Sequence, residues 1–186
     1  MNKEQEKKIE AYILHLIKYN THTNIVGKST LKDPWKSHIL DSIQIVNFIN
    51  NKNLSIVDMG TGAGLPGAIL SVAGFKNVFL LDSNHKKIKF LENVKKNLNF
   101  NFKTIMGRAE LIHDYGFDII TCRALANLNK LFSYSQNFLK KNTLLIFLKG
   151  KAVNEEIEEA KKNWHFVYEK HQSYSDPRGS ILCIKG

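Results

Sequence analysis

The sequence predicts an α/β fold: a mostly parallel, Rossmann-like sheet with a C-terminal antiparallel hairpin and an N-terminal helical extension. Three observations carry this. From Leu54 onward, short apolar runs alternate with amphipathic stretches at helical spacing. A glycine-rich turn, Gly60-Thr-Gly-Ala-Gly-Leu-Pro-Gly67, joins the first run to the first such stretch. The last two apolar segments have no helix between them, only the turn Asp176-Pro-Arg-Gly179.

Residues 1–50 read as helices. Ile9, Tyr12, Ile13, Leu16 and Ile17 recur at helical spacing. After a polar loop over residues 21–32, Asp33-Pro34 predicts an N-cap and first helical position, opening a second helix through Ile39, Ile43 and Val46. Strands are predicted over residues 54–58, 78–82, 102–106, 117–122 and 144–148. Helices are predicted over residues 66–73, 84–98 (Ile88, Leu91, Val94 and Leu98 on one side), 128–139 and 153–161. Strand–helix alternation means parallel strands joined by right-handed crossovers. Residues 164–169 and 180–185 form the closing hairpin. A parallel sheet finished by a hairpin is the plan of class I methyltransferases rather than of most dehydrogenases. The chain divides into an extension, residues 1–50, and a main domain, residues 51–186, within one compact unit.

The length of 186 residues suits one domain with a sizeable core, and 43% hydrophobic residues argue against disorder. The net charge of +10 points to a polyanionic partner such as nucleic acid. With 24 Lys against 3 Arg, a solvated lysine coat is the plainer alternative. The two cysteines, Cys122 and Cys183, make neither a disulfide framework nor a paired-cysteine zinc motif, so a reducing cytoplasm and no metal are expected. Glu4, Glu6 and Glu10 sit among the N-terminal lysines, and His15 and Lys18 break the apolar run there, so no signal peptide is read. No apolar run nears the ~20 residues that span a bilayer.

The glycine turn follows a strand and opens a helix, where bare backbone lets a ligand lie close. Gly62–Gly67 satisfies G-x-G-x-x-G, and Asp82 lies about 20 residues beyond, as a dinucleotide fingerprint asks. Charge separates the two ligands. Asp58, at the strand end, would repel a pyrophosphate but attract the sulfonium and ammonium of S-adenosylmethionine. Asp82 suits ribose hydroxyls in either case. The motif therefore predicts S-adenosylmethionine, with an NAD(P)-dependent oxidoreductase as the alternative.

Further strings extend the pattern: Leu80-Leu-Asp-Ser83 with Lys86-Lys-Ile-Lys-Phe90, Gly107-Arg-Ala-Glu110, Thr121-Cys-Arg-Ala124, His38-Ile-Leu-Asp-Ser42 and Leu148-Lys-Gly150. Together with the glycine turn they resemble the RsmG family, formerly glucose-inhibited division protein B, from about residue 20 to 150. Asn24-Ile-Val26 departs from the family's usual N-L-T. The resemblance implies a bacterial methyltransferase acting on N7 of one guanine of 16S rRNA (the guanine-527 type), on free RNA or in the small ribosomal subunit. It also implies that Gly60, Leu65, Ala109, Glu110 and Arg123 touch the cofactor.

Residue by residue, Asp58, Gly60, Gly62, Leu65, Asp82, Ala109, Glu110 and Arg123 are the candidate cofactor set. Glu110 would accept the adenine amino group, and Arg123 would hold the cofactor carboxylate or an RNA phosphate. His38 and Asp41 share a helical face near the site. Arg108, Lys149 and Arg178 are candidate RNA contacts. Trp35 offers a surface for base stacking, although packing explains it as well. Cys122 as a nucleophile for cytosine methylation is the weaker reading against a buried core thiol. Strand four lacks the Asn/Asp-Pro-Pro-aromatic motif of exocyclic-amine methyltransferases. Guanine N7 carries a lone pair and no proton, so no general base is expected, only proximity and orientation with the base drawn from its stack. A methyltransferase-like RNA-binding module without activity is the further alternative. A cytoplasmic monomer is expected.

Overall fold

Alternation along the strands decides where each helix lies. The computed structural model describes residues 1–113 and 115–185. Its seven strands are β1 (Ser55–Met59), β2 (Asn77–Asp82), β3 (Lys103–Met106), β4 (Phe117–Arg123), β5 (Leu139–Lys149), β6 (Val167–Gln172) and β7 (Ser180–Lys185). They form one sheet in the order β3-β2-β1-β4-β5-β7-β6. The first five are mutually parallel, and β7 is antiparallel to both β5 and β6. Ile56, Leu80, Ile119 and Ile146 project into one apolar cluster, and Val57, Leu81, Ile120 and Leu145 into the other. Helices α1 (Lys3–Asn20), α3 (Gly67–Val72) and α4 (His85–Leu98) cover the first face, and α5 (Leu128–Ser135) and α6 (Val153–Lys161) the second.

Local chemistry starts the helices where the sequence places them. Asn2 and Gln5 form a reciprocal capping box on α1. The side chains of Asn84 and Asn127 accept from Lys86 N and Lys130 N, at 2.9 and 3.0 Å, at the starts of α4 and α5. Ile9, Tyr12, Leu16, Ile39 and Ile45 belong to the same cluster as Ile56, Ile69 and Leu80, so the N-terminal extension is packed on the sheet.

Three elements differ from the sequence reading. The second helix is not regular: it winds as a π-helix over Trp35–Leu40, as α2 over Asp41–Ile43, and as a 3-10 helix over Gln44–Phe48. Asp33 still accepts from Lys36 N at 3.0 Å, as an N-terminal cap should. The apolar spacing fits either winding, so it did not reveal the wide turn. The helix expected over residues 128–139 hands over to a strand after Phe138, and β5 runs 11 residues. Its polar start, Lys140-Lys-Asn142, pairs beside a register shift at Phe117/Ile119 and carries no apolar signal. The first hairpin strand begins at Val167 rather than 164, because pairing with β7 sets its register; Trp164 and Phe166 pack against the second cluster instead.

The glycine turn is held from below. Asp58 is fully buried. Its Oδ2 accepts from Thr61 Oγ1 at 2.5 Å and from Gly67 N at 2.9 Å, and its Oδ1 accepts from Thr121 Oγ1 at 3.2 Å. Gly60, Gly62 and Gly64 have φ of +65°, +60° and +92°, which only glycine adopts without strain. A Cβ on Gly67 would collide with Leu80 and lie 2.9 Å from Asp58 Cβ, so the helix meets the strand here without a side chain between them. From the other side, the buried Tyr12 hydroxyl donates to Ala63 O at 2.8 Å, tying α1 to the turn.

Burial raises Asp58 from 3.8 to about 6, against the opposing pull of Thr61, Gly67, Thr121 and the Arg123 charge. A carboxyl raised in this way stabilises the fold through its protonated form. That contribution is full below pH 4 and is lost as pH climbs through 6. The stability advantage of the natural chain over Asp58→Asn, which does not titrate, should therefore widen by roughly 2 kcal/mol between pH 7 and pH 4.5. Urea-unfolding midpoints at both pH values check this, and a constant difference would show that Asp58 does not titrate in this range.

Candidate active site

Two cavities open at the C-terminal ends of the parallel strands, the usual ligand-binding edge of such sheets. The smaller, about 460 Å³, is walled by Gly60, Asp82, Lys87, Ala109, Glu110 and Tyr134 among others. The larger cleft, about 1000 Å³, is walled by Lys36, His38, Asp41, Arg123, Lys149 and Arg178 among others. Ala124 and Leu125 line both. Ala124 has φ +55°, and the turn it makes sets Leu125 over the glycine loop: a Cβ on Gly60 would lie 2.6 Å from Leu125 Cδ1.

The smaller cavity is rich in acceptors. Asp82 Oδ2 accepts from Gly62 N at 3.0 Å and Oδ1 from Asn84 N at 2.8 Å, which fixes the carboxylate at the tip of β2. Lys87 Nζ stands 3.7 Å from Oδ2. Glu110 lies in a 3-10 turn, Ala109–Leu111, after β3. Asn137 Nδ2 donates to the carbonyls of Ala109 and Glu110, both at 3.3 Å, and so anchors that turn to the next layer. Two carboxylates beside a bare glycine backbone suit a ligand with hydroxyl and amino donors at its nucleoside end. The residues present therefore fit S-adenosylmethionine: Asp82 for the ribose, Glu110 for adenine and Gly60 as the cradle.

The larger cleft joins three segments of chain. Arg123, at the tip of β4, donates through Nη1 to Ser37 O at 3.0 Å and to Asp41 Oδ2 at 3.1 Å, and its Nη2 lies 3.2 Å from His38 Nδ1. Asp41 Oδ1 also accepts from Ser175 Oγ at 2.6 Å and Gln44 Nε2 at 3.1 Å. Gln44 reaches Ser173 Oγ at 3.0 Å and accepts from Tyr174 N at 2.9 Å. The irregular helix, the β4 tip and the β6–β7 turn are thus one polar network. Burial, and then the Arg123 charge, lower His38 to about 4, so the ring is neutral at ordinary pH.

Several expected residues stand elsewhere. Asp58 lines neither cavity; its charge lies beneath the loop and reaches a ligand through space rather than by contact. Leu65 is 2% exposed and belongs to the apolar cluster under the loop, so its side chain is not on the wall of either cavity. Gly62 serves the loop through Asp82. Arg108 borders the smaller cavity, with Nη1 3.7 Å from Glu110, and does not line the cleft. Lys149 lies 2.6 Å from Glu156 Oε2 and donates to Ala126 O at 2.9 Å, so its ammonium is already partnered. Trp35 begins the π-helix, 40% exposed, beside the cleft rather than on its wall. Cys122 is buried, and burial followed by the Asp58 charge pushes its thiol up to about 12, leaving no thiolate for nucleophilic attack.

Sequence reasoning missed Thr61, Thr121, Gln44, Ser173, Ser175, Lys36 and Leu125. Ser173-x-Ser175 before Asp176-Pro177 carried a weak signal, because short hydroxyls ahead of a turn commonly bond the backbone. Thr61, three residues from Asp58 in the glycine turn, carried a similar local signal, whereas Thr121, Gln44 and Ser173 meet partners far along the chain.

Residues 5–182 match the family described as GidB, rRNA small subunit methyltransferase G. A relative named ribosomal RNA small subunit methyltransferase G from Rickettsia prowazekii is 39% identical over 178 residues, covering 96% of this chain and 92% of the relative. One of the same name from Orientia tsutsugamushi is 38% identical over 185 residues, covering 100% and 92%. Among solved structures, a ribosomal protein L11 methylase from Lactobacillus delbrueckii subsp. bulgaricus has a TM-score of 0.65 at 23% identity, covering 78% of this chain and 75% of that one. A SAM-dependent methyltransferase from Aquifex aeolicus also has a TM-score of 0.65, at 16% identity, covering 84% and 95%. These two likenesses concern the fold and place the sheet and its closing hairpin among methyltransferase architectures. The chain belongs to the GidB family of rRNA small subunit methyltransferases G.

Proposed function

We propose that this chain transfers a methyl group from S-adenosylmethionine, seated in the smaller cavity, to N7 of a guanine of 16S rRNA entering the larger cleft. The observation that carries this reading is the shared wall: Ala124 and Leu125 border both cavities directly above Gly60. A donor in one cavity and an acceptor in the other meet there. The family match favours methyl transfer over the NAD(P)-dependent oxidoreductase and over the inactive RNA-binding module.

S-adenosylmethionine, when bound, supplies an electrophilic methyl on a sulfonium. The protein binds, orients and excludes water. Asp82 and Glu110 receive the hydroxyl and amino donors of the nucleoside. Arg123 uses three N–H bonds on Ser37, Asp41 and His38, leaving two of its five for a carboxylate or phosphate. The target nitrogen has its own lone pair and no proton to lose, so no residue needs to act as a base. Rate comes from alignment. The cleft is deep and lies at the strand ends, which requires the base to leave its stack. We read the chain as a monomer that acts where its RNA substrate is, in the cytoplasm. Among the described residues, no helix is long and apolar enough to cross a membrane.

Two outcomes follow for substitutions. Glu110→Ala should weaken S-adenosylmethionine binding roughly 10- to 100-fold by calorimetry, the loss of one charged hydrogen bond, with little change in thermal midpoint. The cleft cations should divide in behaviour. Arg178 is exposed at the rim, so Arg178→Ala should weaken RNA binding and reduce the slope of log K against log salt by about 1. Lys149→Ala should instead cost stability, on the order of 2 kcal/mol, because Glu156 keeps only the Leu128 N–H and loses its charged partner. Filter binding across a salt series and thermal denaturation separate the two.

A further inference from the structure

We propose that His38 selects the target base, its Nε2–H donating to O6 of guanine; this rests on the cleft receiving the base as argued above. The ring's protonation pattern follows from its neighbour. Arg123 Nη2 lies 3.2 Å from His38 Nδ1. A guanidinium only donates, so Nδ1 must offer its lone pair and the ring proton sits on Nε2. The arginine cannot be deprotonated in a protein, so this tautomer is set independently of the other residues of the cleft.

That leaves a buried donor with nothing to meet. His38 lines the larger cleft and is 4% exposed, and its Nε2 has no hydrogen-bond partner among the described residues. Buried polar groups are normally paired, and an orphan costs stability unless a ligand completes it. The residue is well anchored for such a task. Its own carbonyl accepts from Ser42 Oγ at 2.6 Å, and Arg123 holds the ring. Burial and the neighbouring positive charge keep it neutral at working pH. Asp41, which shares Arg123 with it, can only accept, and its oxygens already take Arg123, Ser175 and Gln44.

The chemistry of the base supplies the matching group. On guanine, O6 and N7 are adjacent acceptors on one edge, whereas adenine presents an amino donor in place of O6. An N–H donor from a residue that lines the cleft receiving the base therefore accepts guanine and opposes adenine. A site built to donate to an absent oxygen discriminates strongly, because its own buried group is then left unpaired. Contact with the base makes His38 a specificity-determining residue and asks nothing of it in proton transfer.

The test compares the natural chain, His38→Phe and His38→Gln on small subunits assembled with guanine or 2-aminopurine at the methylated position. 2-Aminopurine keeps N7 and lacks the 6-oxygen. kcat/KM for methyl incorporation is read on both, together with the calorimetric affinity for S-adenosylhomocysteine and the thermal midpoint. The natural chain should prefer guanine roughly 10- to 100-fold. His38→Phe should erase that preference by losing activity on guanine alone, with cofactor-product affinity unchanged. His38→Gln, which keeps an N–H donor and tests the idea should the Phe variant fold poorly, should retain most of the preference. Equal losses on both bases, a parallel loss of S-adenosylhomocysteine binding, or undiminished preference in His38→Phe would each overturn the proposal. A natural chain that leaves guanine N7 unmethylated would instead refute the function it rests on.

Discussion

The buried Asp58 carboxylate is the constraint on which the rest of the site depends. It stands at the tip of the central strand with no exposure, and three donors from three segments converge on it: Thr61 in the turn, Gly67 at the start of α3 and Thr121 on the neighbouring strand. A carboxylate in such a place costs desolvation, which is why its pKa is raised, and the cost is offset only while all three donors stay in place. The glycine turn is thereby fixed in one conformation. Gly62 N then finds Asp82, Gly60 lies bare under Leu125, and both cavities acquire their common wall.

Around that centre the N-terminal extension is structural and chemical at once. Tyr12 braces the turn through Ala63, on the side away from Asp58, while His38 and Asp41 hold Arg123. The π-helical winding of Trp35–Leu40 brings Ser37 O, His38 and Asp41 to bear on one guanidinium. Ser175 and Ser173 then draw the β6–β7 turn onto the same residues. A cleft assembled from three segments distant in sequence changes shape if any one moves. Its geometry therefore depends on hydrogen bonds that a hydrophobicity pattern cannot reveal.

This division explains what could be read from the residues alone. The strand–helix alternation, the glycine turn and the closing hairpin each have a local cause, in period, backbone freedom and turn chemistry, and each stands in the structure within a few residues of its expected place. Residues whose surroundings the sequence did not reveal are those with remote partners. The charge of Asp58 suggested a residue that greets the cofactor, yet strand alternation with Ile56 turns it inward. Lys149 looked like an RNA contact until Glu156, seven residues on, took it. Arg123, His38 and Asp41 each stood out in the sequence, but no local pattern pairs the arginine with residues 37–41, which lie more than eighty positions away. Leu65 resembled a cofactor contact by family position, and its side chain is buried in the core beneath the loop.

The cleft's cations show how charge is divided in this molecule. Arg123, Lys149 and Arg178 each face a carboxylate, Asp41, Glu156 and Asp176, at 3.1, 2.6 and 3.1 Å. Lys36, on the same wall, is exposed and has no ion pair among the described residues, so part of the cleft's charge stays uncompensated. A further uncompensated share of the +10 net charge lies on the exposed Lys86, Lys89, Lys95 and Lys96 of α4. Long-range attraction of a polyanion thus belongs to these exposed lysines and is screened by salt within about a Debye length. Selection belongs to the cleft, where directional donors and acceptors are held rigid by their ion pairs. With this division a polyanion is gathered unselectively at low salt, while directional contacts within the cleft are less sensitive to salt.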